Sequence, residues 1–365
     1  MKLTRWTLLL GIALAGSAMA CDPDNAGLAL PPGFCASVFA DGLGHARHLA
    51  VAPNGDVYVN TLSGYVVALR DENGDGRADV IRRFGPPLPE GSTGGGTGIA
   101  VFGDALYVED AGKIVRYGLR DSALVPRGDP DVILGGLPIE GDHVAYAFAI
   151  APDGALFVNS GSGIGRYSAR KTGQVFSSAE RFATGISNAP ALAMQPGGLL
   201  YATLESGDPL GAEVFASVQA VDDFGWPYCY YDAARREYLP TAAYGGGAGA
   251  QQSECIAVKN RRVAFPPQWA PSGMTFYAGA AFPGKYRGGA FVALRASSNS
   301  EPDPASSLLA FVPFEENRAL GPVVFATGFA GHRATGAAAG PDGALYVSDD
   351  VKGRIWKITY EGDSQ

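Results

Sequence analysis

The sequence predicts an all-β protein, a six-bladed β-propeller with a long insertion between the fourth and fifth repeats. A short turn that runs into an alternating apolar strand recurs six times, with three nearly identical copies and three looser ones. The copies lie at 52–59, 102–108, 151–158, 195–202, 287–292 and 340–347. The aromatic residues at the centres of these strands are mostly about 50 residues apart, and no long helical pattern interrupts them. Repeats of this length with several short strands are typical of propeller blades.

The chemistry of the turn explains each repeat locally. In the first copy, Pro53 presets φ for the turn and Gly55 accepts the positive φ that other residues avoid. Six blades of about 50 residues fill residues 31–360, so we expect one propeller domain there, with its first blade at 31–70. The interval between the fourth and fifth strands is longer than the others, and we assign the excess to an insertion at roughly 207–272.

Composition and charge limit the functional classes. The chain has 365 residues, of which 51 are glycine and 25 are proline, and 47% are hydrophobic. This combination favours many tight turns around a packed core rather than disorder. The formal net charge is −8, and no run of basic residues occurs. Nucleic acids and anionic membranes are therefore not expected as partners, because both need clustered Lys and Arg.

The first residues have the pattern of an export signal. Basic residues precede an apolar stretch at 6–15, and Ala18-Met19-Ala20 supplies the small residues of a cleavage site. We therefore expect residues 1–20 to be a signal peptide and residues 21–30 a linker, with the mature protein periplasmic or extracellular. Cys21 directly follows the cleavage site, so a lipid anchor at this residue is a second possibility.

Four cysteines in an exported chain favour oxidised pairs. Cys229 and Cys255 bracket part of the long insertion, where a staple would constrain a loop, so we expect them to form a disulfide. Cys21 and Cys35 are the other possible pair, which a lipid on Cys21 would exclude. A zinc site is not expected, because the sequence has no Cys-x-x-Cys spacing.

Oxygen-bearing side chains alternate around a glycine turn directly after the first blade, at Asp71, Asn73, Asp75 and Asp79. Ca²⁺ takes several oxygen ligands of this kind, so the spacing predicts a structural Ca²⁺ site. The alternative is an acidic turn that is held together by its own side-chain hydrogen bonds and needs no ion.

Candidate active-site residues lie shortly before the turns of three blades. His45, His143 and Arg333 precede the first, third and sixth turns, and equivalent positions on a ring converge on one axis. His143 is a candidate general base, the alternative being a structural side chain. The acidic loop at 205–213 is a candidate cation site, since carboxylates and carbonyls suit a hard ion.

Further motifs connect the chain with a known family. They are Leu-Pro-Pro-Gly-Phe at 30–34, Phe-Gly-Trp-Pro-Tyr-Cys at 224–229, Ala-Pro-x-Gly-Met-x-Phe-Tyr at 270–277 and Gly-Arg-Ile-Trp at 353–356. Together with His143 and the Pro-Asp-Gly turn at 341–343, they resemble the glucose/sorbosone dehydrogenase family over about residues 30–360.

The resemblance implies an oxidoreductase that uses pyrroloquinoline quinone (PQQ) and Ca²⁺ over the central channel to oxidise a sugar, aldose or polyol hydroxyl. It implies that His143 is the general base and that Arg333 pairs with a carboxylate of the cofactor. Asn188 corresponds to the second residue of an Arg-Asn pair in the family. The loop that holds the active-site Ca²⁺ corresponds to Asp208, Pro209 and Glu213. The implied partners are a small-molecule sugar and an external electron acceptor.

The chain also departs from the family pattern. Ser187 stands where the family has Arg, and Thr335 stands where the glucose enzymes have a basic residue. The stretch 295–299 replaces a His-Gly-Ser-Trp-Asn motif, and Trp269 replaces a usual His. Arg295 could restore one lost cation, and Trp269 could stack on a flat ring.

These departures leave a second class of function open, a catalytically inactive exported propeller that acts as a binding or scaffold module. A lactonase-type hydrolase is a third possibility. It would need acidic metal ligands on the channel axis, and no such constellation is evident in the sequence.

Overall fold

The computed structural model describes residues 21–87, 95–119, 123–137, 146–168, 179–241, 255, 258, 262–266, 269–296, 307–329, 331 and 333–362. Almost all regular structure in them is β-strand, with short 3₁₀ turns at Asn25–Gly27 and Gly284–Tyr286. No helix within these residues is long and apolar enough to cross a membrane.

The strands of the first three blades follow one another along the chain. After β1 (Phe34–Ala40), the first blade contains β2 (Ala46–Val51), β3 (Val57–Thr61), β4 (Val66–Arg70) and β5 (Val80–Phe84). The second contains β6 (Ile99–Phe102), β7 (Ala105–Asp110), β8 (Lys113–Gly118) and β9 (Asp131–Leu134). The third contains β10 (Phe148–Ile150), β11 (Leu156–Asn159), β12 (Gly163–Tyr167) and β13 (Glu180–Thr184).

The later blades carry additional short strands. The fourth blade contains β14 (Asn188–Met194), β15 (Leu200–Glu205) and β16 (Val214–Val218), and its outer strand is β20 (Arg262–Ala264). Between them lie β17 (Asp222–Asp223), which pairs in parallel with β13, and a hairpin of β18 (Cys229–Asp232) and β19 (Glu237–Pro240). The fifth blade contains β21 (Trp269–Phe276), β22 (Ala290–Ala296), β23 (Leu308–Val312) and β26 (Val323–Ala326), with a small hairpin of β24 (Phe314–Glu315) and β25 (Arg318–Ala319). The sixth contains β27 (Ala334–Ala339), β28 (Leu345–Asp349) and β29 (Ile355–Tyr360).

The six blades form a closed ring. The first strand of each blade contacts the first strand of the next, in the order β2, β6, β10, β14, β21 and β27, and β27 contacts β2. The predicted six-bladed β-propeller is therefore confirmed.

The prediction that the first blade spans residues 31–70 was wrong at both ends, because β5 completes this blade beyond residue 70 and β1 belongs to another blade. β1 does not pair with β2 but forms the outer strand of the sixth blade, antiparallel to β29, with Phe34 opposite Tyr360. The pairing joins residues that are far apart in sequence, so the pattern of residues 31–40 could not reveal it. This strand closes the ring between the two ends of the propeller.

The aromatic residue that marks each repeat, called the aromatic marker below, has a role in packing. The central aromatic residue of each second strand packs into an apolar cluster shared with the following blade. Tyr58 packs between the first and second blades, Phe157 between the third and fourth, and Tyr346 between the sixth and first. The turns behave as predicted, since Gly55 has φ of 91°. A single sheet cannot bury both of its faces alone, so each blade buries this aromatic residue against the following blade.

The long interval in the sequence falls largely inside the fourth blade. It lies between β16 and β20, and it includes the β18–β19 hairpin and the predicted disulfide between Cys229 and Cys255. The predicted insertion at 207–272 also contains blade strands, because β16, β20 and the start of β21 lie within it. The other possible disulfide, between Cys21 and Cys35, is also present.

Candidate functional site

Polar side chains gather at one end of the propeller, where the second strand of each blade ends. Five blades have a buried polar residue two places after the aromatic marker, namely Asn60, Glu109, Asn159, Thr203 and Ser348. The Asn60 amide donates to the carbonyls of Gly98 and Glu109 in the second blade. Sequence reasoning missed this set, although a polar residue at a constant distance from the marker was a readable signal.

A hydrogen-bonded chain links the third, fourth and fifth blades at this end. The Asn159 amide donates to Asn188 Oδ1 at 3.0 Å, and the Asn188 amide donates to Glu205 Oε2 at 2.9 Å. Arg295 then donates to Glu205 Oε1 at 3.2 Å. The predicted residues Asn188 and Arg295 therefore belong to one network, which is joined by Glu205, the first carboxylate of the acidic loop at 205–213.

The sixth and first blades meet at Asp350. Arg333 Nε lies 2.6 Å from Asp350 Oδ1, and the His45 ring nitrogen Nδ1 lies 2.6 Å from the Asp350 carbonyl oxygen. The equivalent positions of His45 and Arg333 in their repeats thus converge as expected. The side chain of Arg333 is 42% exposed, so its remaining donors are accessible.

Arg47 adds a third guanidinium group to this end of the channel. Burial lowers its pKa, and the nearby positive charges of Arg295 and Arg333 lower it further, whereas Asp350 and Glu109 oppose the shift. Its Nη1 donates to the Gly95 carbonyl at 3.1 Å, and its buried Nε has no hydrogen-bond partner among the described residues. Three arginines from the first, fifth and sixth blades therefore lie near one another.

Glu109 is the buried carboxylate beside Arg47. Burial raises its pKa to about 7, with a further increase from Asp110, while backbone hydrogen bonds from Gly96 and Thr97 and the charge of Arg47 lower it. Within the described residues, its Oε2 has no hydrogen-bond partner. Such a carboxyl group can gain or lose a proton near neutral pH.

His48 lies deeper, inside the axial channel. It borders a cavity of about 50 Å³ to which all six first strands contribute residues. Its Nε2 lies 3.1 Å from the Ser272 carbonyl. Enclosure by the strands lowers its pKa to about 4, and the charge of Arg47 adds to the effect. His48 is therefore neutral at physiological pH, below the cluster of charged groups.

The predicted Ca²⁺ loop borders the same network. Burial raises the pKa of Glu213 to about 8, and the neighbouring Glu205 carboxylate adds to the shift. Glu213 Oε2 accepts from the Ser206 N–H at 3.0 Å, and Asp208 Oδ1 accepts from the Leu210 N–H at 2.9 Å. Pro209 is exposed at the tip of the loop.

The β18–β19 hairpin covers this loop. Ser187, Glu205, Trp226 and Tyr230 line a small cavity of about 30 Å³ between the two. The segment between the third and fourth strands of the fourth blade therefore forms one wall of the site.

The predicted structural Ca²⁺ loop makes many internal hydrogen bonds. The Asp71 carboxylate accepts from the backbone of Gly74 and Gly76, and the Asp79 carboxylate accepts from the backbone of Asn73 and from its side chain. Asp75 accepts from the Arg77 N–H.

Neither predicted Ca²⁺ loop brings three acidic groups close together. Among the described residues, the three potential ligands that come within 4.8 Å of one another are Cys21, Cys35 and Glu361, and both cysteines are in a disulfide. Ca²⁺ binding at either loop stays a prediction.

Of the remaining predicted site residues, Trp269 is described by the structure and His143 is not. Trp269 begins the first strand of the fifth blade, at the site end, and packs partly buried against the apolar cluster between the fourth and fifth blades. His143 lies outside the described residues, as do residues 297–299.

Comparison with known proteins shows the family to which the chain belongs. The model of the family described as "Glucose / Sorbosone dehydrogenase" matches residues 169–357, which is more than half of the chain. The chain belongs to the glucose/sorbosone dehydrogenase family. The matched region contains Asn188, Glu205, Arg295 and Arg333, whereas Arg47 and Glu109 lie before it.

Solved structures of similar fold include sugar dehydrogenases. The holo form of the PQQ domain of pyranose dehydrogenase from Coprinopsis cinerea is 15% identical, with a TM-score of 0.71 and coverage of 91% of this chain and 97% of that chain. The PQQ-bound aldose sugar dehydrogenase from Streptomyces coelicolor is 20% identical, with a TM-score of 0.59 and coverage of 91% and 99%. A calcium structure of a Trichoderma reesei family AA12 enzyme is 14% identical, with a TM-score of 0.74 and coverage of 96% and 100%. No curated protein matches this glucose/sorbosone dehydrogenase family member.

Proposed function

We propose that this protein is an exported PQQ-dependent sugar dehydrogenase that oxidises a sugar, aldose or polyol hydroxyl and passes the electrons to an external acceptor. The observation that carries the proposal is the convergence of Arg47, Arg295 and Arg333 beside Asn188 at the channel end of a family member. Two solved structures of the same fold are described as PQQ-containing sugar dehydrogenases, which supports the choice of cofactor.

The residues present fit a cofactor with several carboxylates. Arg333 is partly exposed, and Arg47 has a buried Nε that lacks a partner among the described residues. Thr335 carries no charge, is fully buried and donates to the Ala46 carbonyl, so it cannot replace the basic residue of the glucose enzymes. The positive charge that Ser187 and Thr335 do not provide is available from Arg47 and Arg295.

PQQ, when bound, would supply the oxidant that accepts a hydride from the carbinol carbon. His143 would take the hydroxyl proton of the substrate as general base. Asn188 would donate to the cofactor or substrate, and its amide is oriented by Asn159 on one side and Glu205 on the other. Arg333 would hold a cofactor carboxylate, Arg295 would add positive charge, and Trp269 would offer a flat face at the rim.

We propose further that an active-site Ca²⁺ binds at Asp208, Pro209 and Glu213. Carboxylate oxygens and a main-chain carbonyl are ligands that suit this ion. The proximity of Glu205 and Glu213 supports the proposal, since their mutual repulsion would be relieved by a cation.

Export is part of the proposal, because the first residues have a signal pattern and the described cysteines are all paired. A thioether-linked lipid and a disulfide cannot share the sulfur of Cys21. The pairing of Cys21 with Cys35 therefore favours cleavage without lipidation. Mass spectrometry of the mature N-terminus distinguishes the two cases.

The test is calorimetric titration of the Ca²⁺-loaded protein with PQQ. We expect micromolar or tighter binding, and Arg333→Ala should weaken it by about 10- to 100-fold, because one charge-assisted pair is lost. His143→Ala should keep the affinity for PQQ but lose turnover in a screen of sugars with a dye as electron acceptor. Arg116→Ala is the matched control, because Arg116 on β8 pairs with Asp104 in the turn between β6 and β7 and with Asp131 on β9.

A second function is favoured by one observation. Arg295 and Arg333 already pair with Glu205 and Asp350, which reduces the positive charge available to a cofactor. If the wild-type protein releases no heat with PQQ at high protein concentration, the dehydrogenase is excluded and the propeller is a binding or scaffold module.

A further inference from the structure

Arg47 is the group at the channel end for which the family resemblance assigns no role. It is the second residue of β2, the first strand of the first blade, and lies outside the region that matches the family model. Its buried Nε lacks a hydrogen-bond partner within the described chain. A buried N–H without a partner costs free energy, so its presence needs an explanation.

The conformation of the Arg47 side chain is constrained by Gly95 and Gly96. A Cβ atom at Gly96 would lie only 2.9 Å from Arg47 Cδ, so residue 96 must be glycine for the side chain to take this path. Arg47 Nη1 donates to the Gly95 carbonyl at 3.1 Å. These contacts fix the guanidinium near Arg295 and Arg333, although like charges repel it there.

The charges around Arg47 are incompletely balanced. Arg295 donates to Glu205 and Arg333 donates to Asp350, whereas no described carboxylate accepts a hydrogen bond from Arg47. Glu109 and Asp350 attract it only from a distance. An anion between the three guanidinium groups would relieve the repulsion and satisfy Nε.

We propose that Arg47 binds a carboxylate of PQQ through its Nε–H and so replaces positive charge that the family places at the positions of Ser187 and Thr335. This assignment rests on the proposed function. It adds a binding residue from the first blade to those of the fourth, fifth and sixth.

The test compares PQQ affinity in Arg47 variants by calorimetry with Ca²⁺ present at low ionic strength. Arg47→Gln should weaken binding by about 10- to 100-fold, and Arg47→Lys should fall between Gln and wild type, because it keeps the charge but loses the Nε–H donor of the planar guanidinium. The matched control is Arg166→Gln. Arg166 pairs with Asp153 and Glu180 at the opposite end of the third blade, and its loss should leave the affinity unchanged.

Thermal unfolding without PQQ separates binding from a structural role. Because Arg47 has an unsatisfied N–H and two like-charged neighbours, Arg47→Gln should be at least as stable as the wild type without cofactor. The increase in Tm on adding PQQ should nevertheless be smaller in the variant.

The outcomes separate the two proposals. If the wild type and Arg47→Gln bind PQQ equally while Arg333→Ala binds weakly, the assignment of Arg47 is wrong and the proposed function stands. If Arg47→Gln loses stability without PQQ to the same extent as it loses affinity, Arg47 is structural and the assignment is also wrong. If the wild type does not bind PQQ, both proposals are wrong.

Discussion

Glu109 occupies a position where other blades place a hydrogen-bond donor. Asn60 and Asn159 donate to backbone carbonyls of the next blade, and the Ser348 hydroxyl donates to the Arg47 carbonyl. A carboxylate can accept but not donate, whereas a protonated carboxyl group can do both. The pKa of about 7 therefore allows Glu109 to act as a donor below neutral pH.

This pKa predicts how stability depends on pH. The folded pKa of Glu109 lies above its ordinary value of 4.5, so the folded state holds a proton that the unfolded state releases. Its stabilising contribution is complete below about pH 4.5 and is lost as the pH rises through about 7. We expect Glu109→Gln to remove this loss. At pH 8 the variant should be more stable than the wild type by up to about 3 kcal/mol.

Urea unfolding at pH 5 and pH 8 measures the effect. Glu237→Gln, at an exposed position on β19, is the control and should change neither value. Equal pH dependence in wild type and Glu109→Gln would show that Glu109 is ionised in the folded protein at pH 5.

Single residues were predictable where a motif identified them. Asn188, Arg295 and Arg333 were predicted from the family resemblance. Asn188 and Arg295 bond to the same carboxylate, Glu205, and the charges of Arg295 and Arg333 both act on Arg47. Glu109 was missed as a candidate site residue, because it lies near Arg47 only after the blades have closed into a ring. Its local sequence resembles that of an ordinary strand end.

At the level of elements, the turns were predictable because their causes are local. Glycine, together with proline in four of the six copies, specifies each turn within a few residues, so all six repeats were located correctly. β1 was assigned to the wrong blade because its partner, β29, lies at the other end of the chain. β20 was included in the insertion because β18 and β19 separate it from its own blade.

The loop between β4 and β5 tests the structural Ca²⁺ prediction. We expect a chelator to lower the Tm of the wild type, because an ion that binds the folded state stabilises it by mass action. Asp71→Asn combined with Asp75→Asn should remove this response by removing two charged ligands.

Glu72→Gln is the matched control in the same loop, since Glu72 is exposed and is not a predicted ligand. It should respond to the chelator as the wild type does. If the chelator does not change the Tm of the wild type, the internal hydrogen bonds of Asp71 and Asp79 are sufficient to hold the loop without an ion.

At the scale of the whole molecule, stability depends on the apolar clusters between blades. Phe34 on β1 belongs to the cluster that joins the fifth and sixth blades. Its ring centroid lies 4.8 Å from that of Phe282 and 5.0 Å from that of Phe325, both in edge-to-face geometry. The closing strand is thus held by packing as well as by its ladder with β29.

We expect Phe34→Ala to destabilise the protein by about 3 to 5 kcal/mol, because it leaves a cavity among aromatic rings at the closure. Urea unfolding measures the change. Val323→Ala is the control, because Val323 is 51% exposed on an outer strand and its loss should cost less than about 0.5 kcal/mol. A loss below about 1 kcal/mol for Phe34→Ala would show that the ladder alone closes the ring.

The pairing of β1 with β29 also sets an order of events in time. Phe34 is synthesised early and Tyr360 late, so β1 cannot pair with β29 until almost the whole chain has been synthesised. Five blades can form from consecutive segments, whereas the sixth needs both ends. Contacts of such long sequence separation form slowly, because the loop between them must close first. We therefore expect the joining of the two ends to be the last step of folding, preceded by an open arc of blades with an unpaired edge strand.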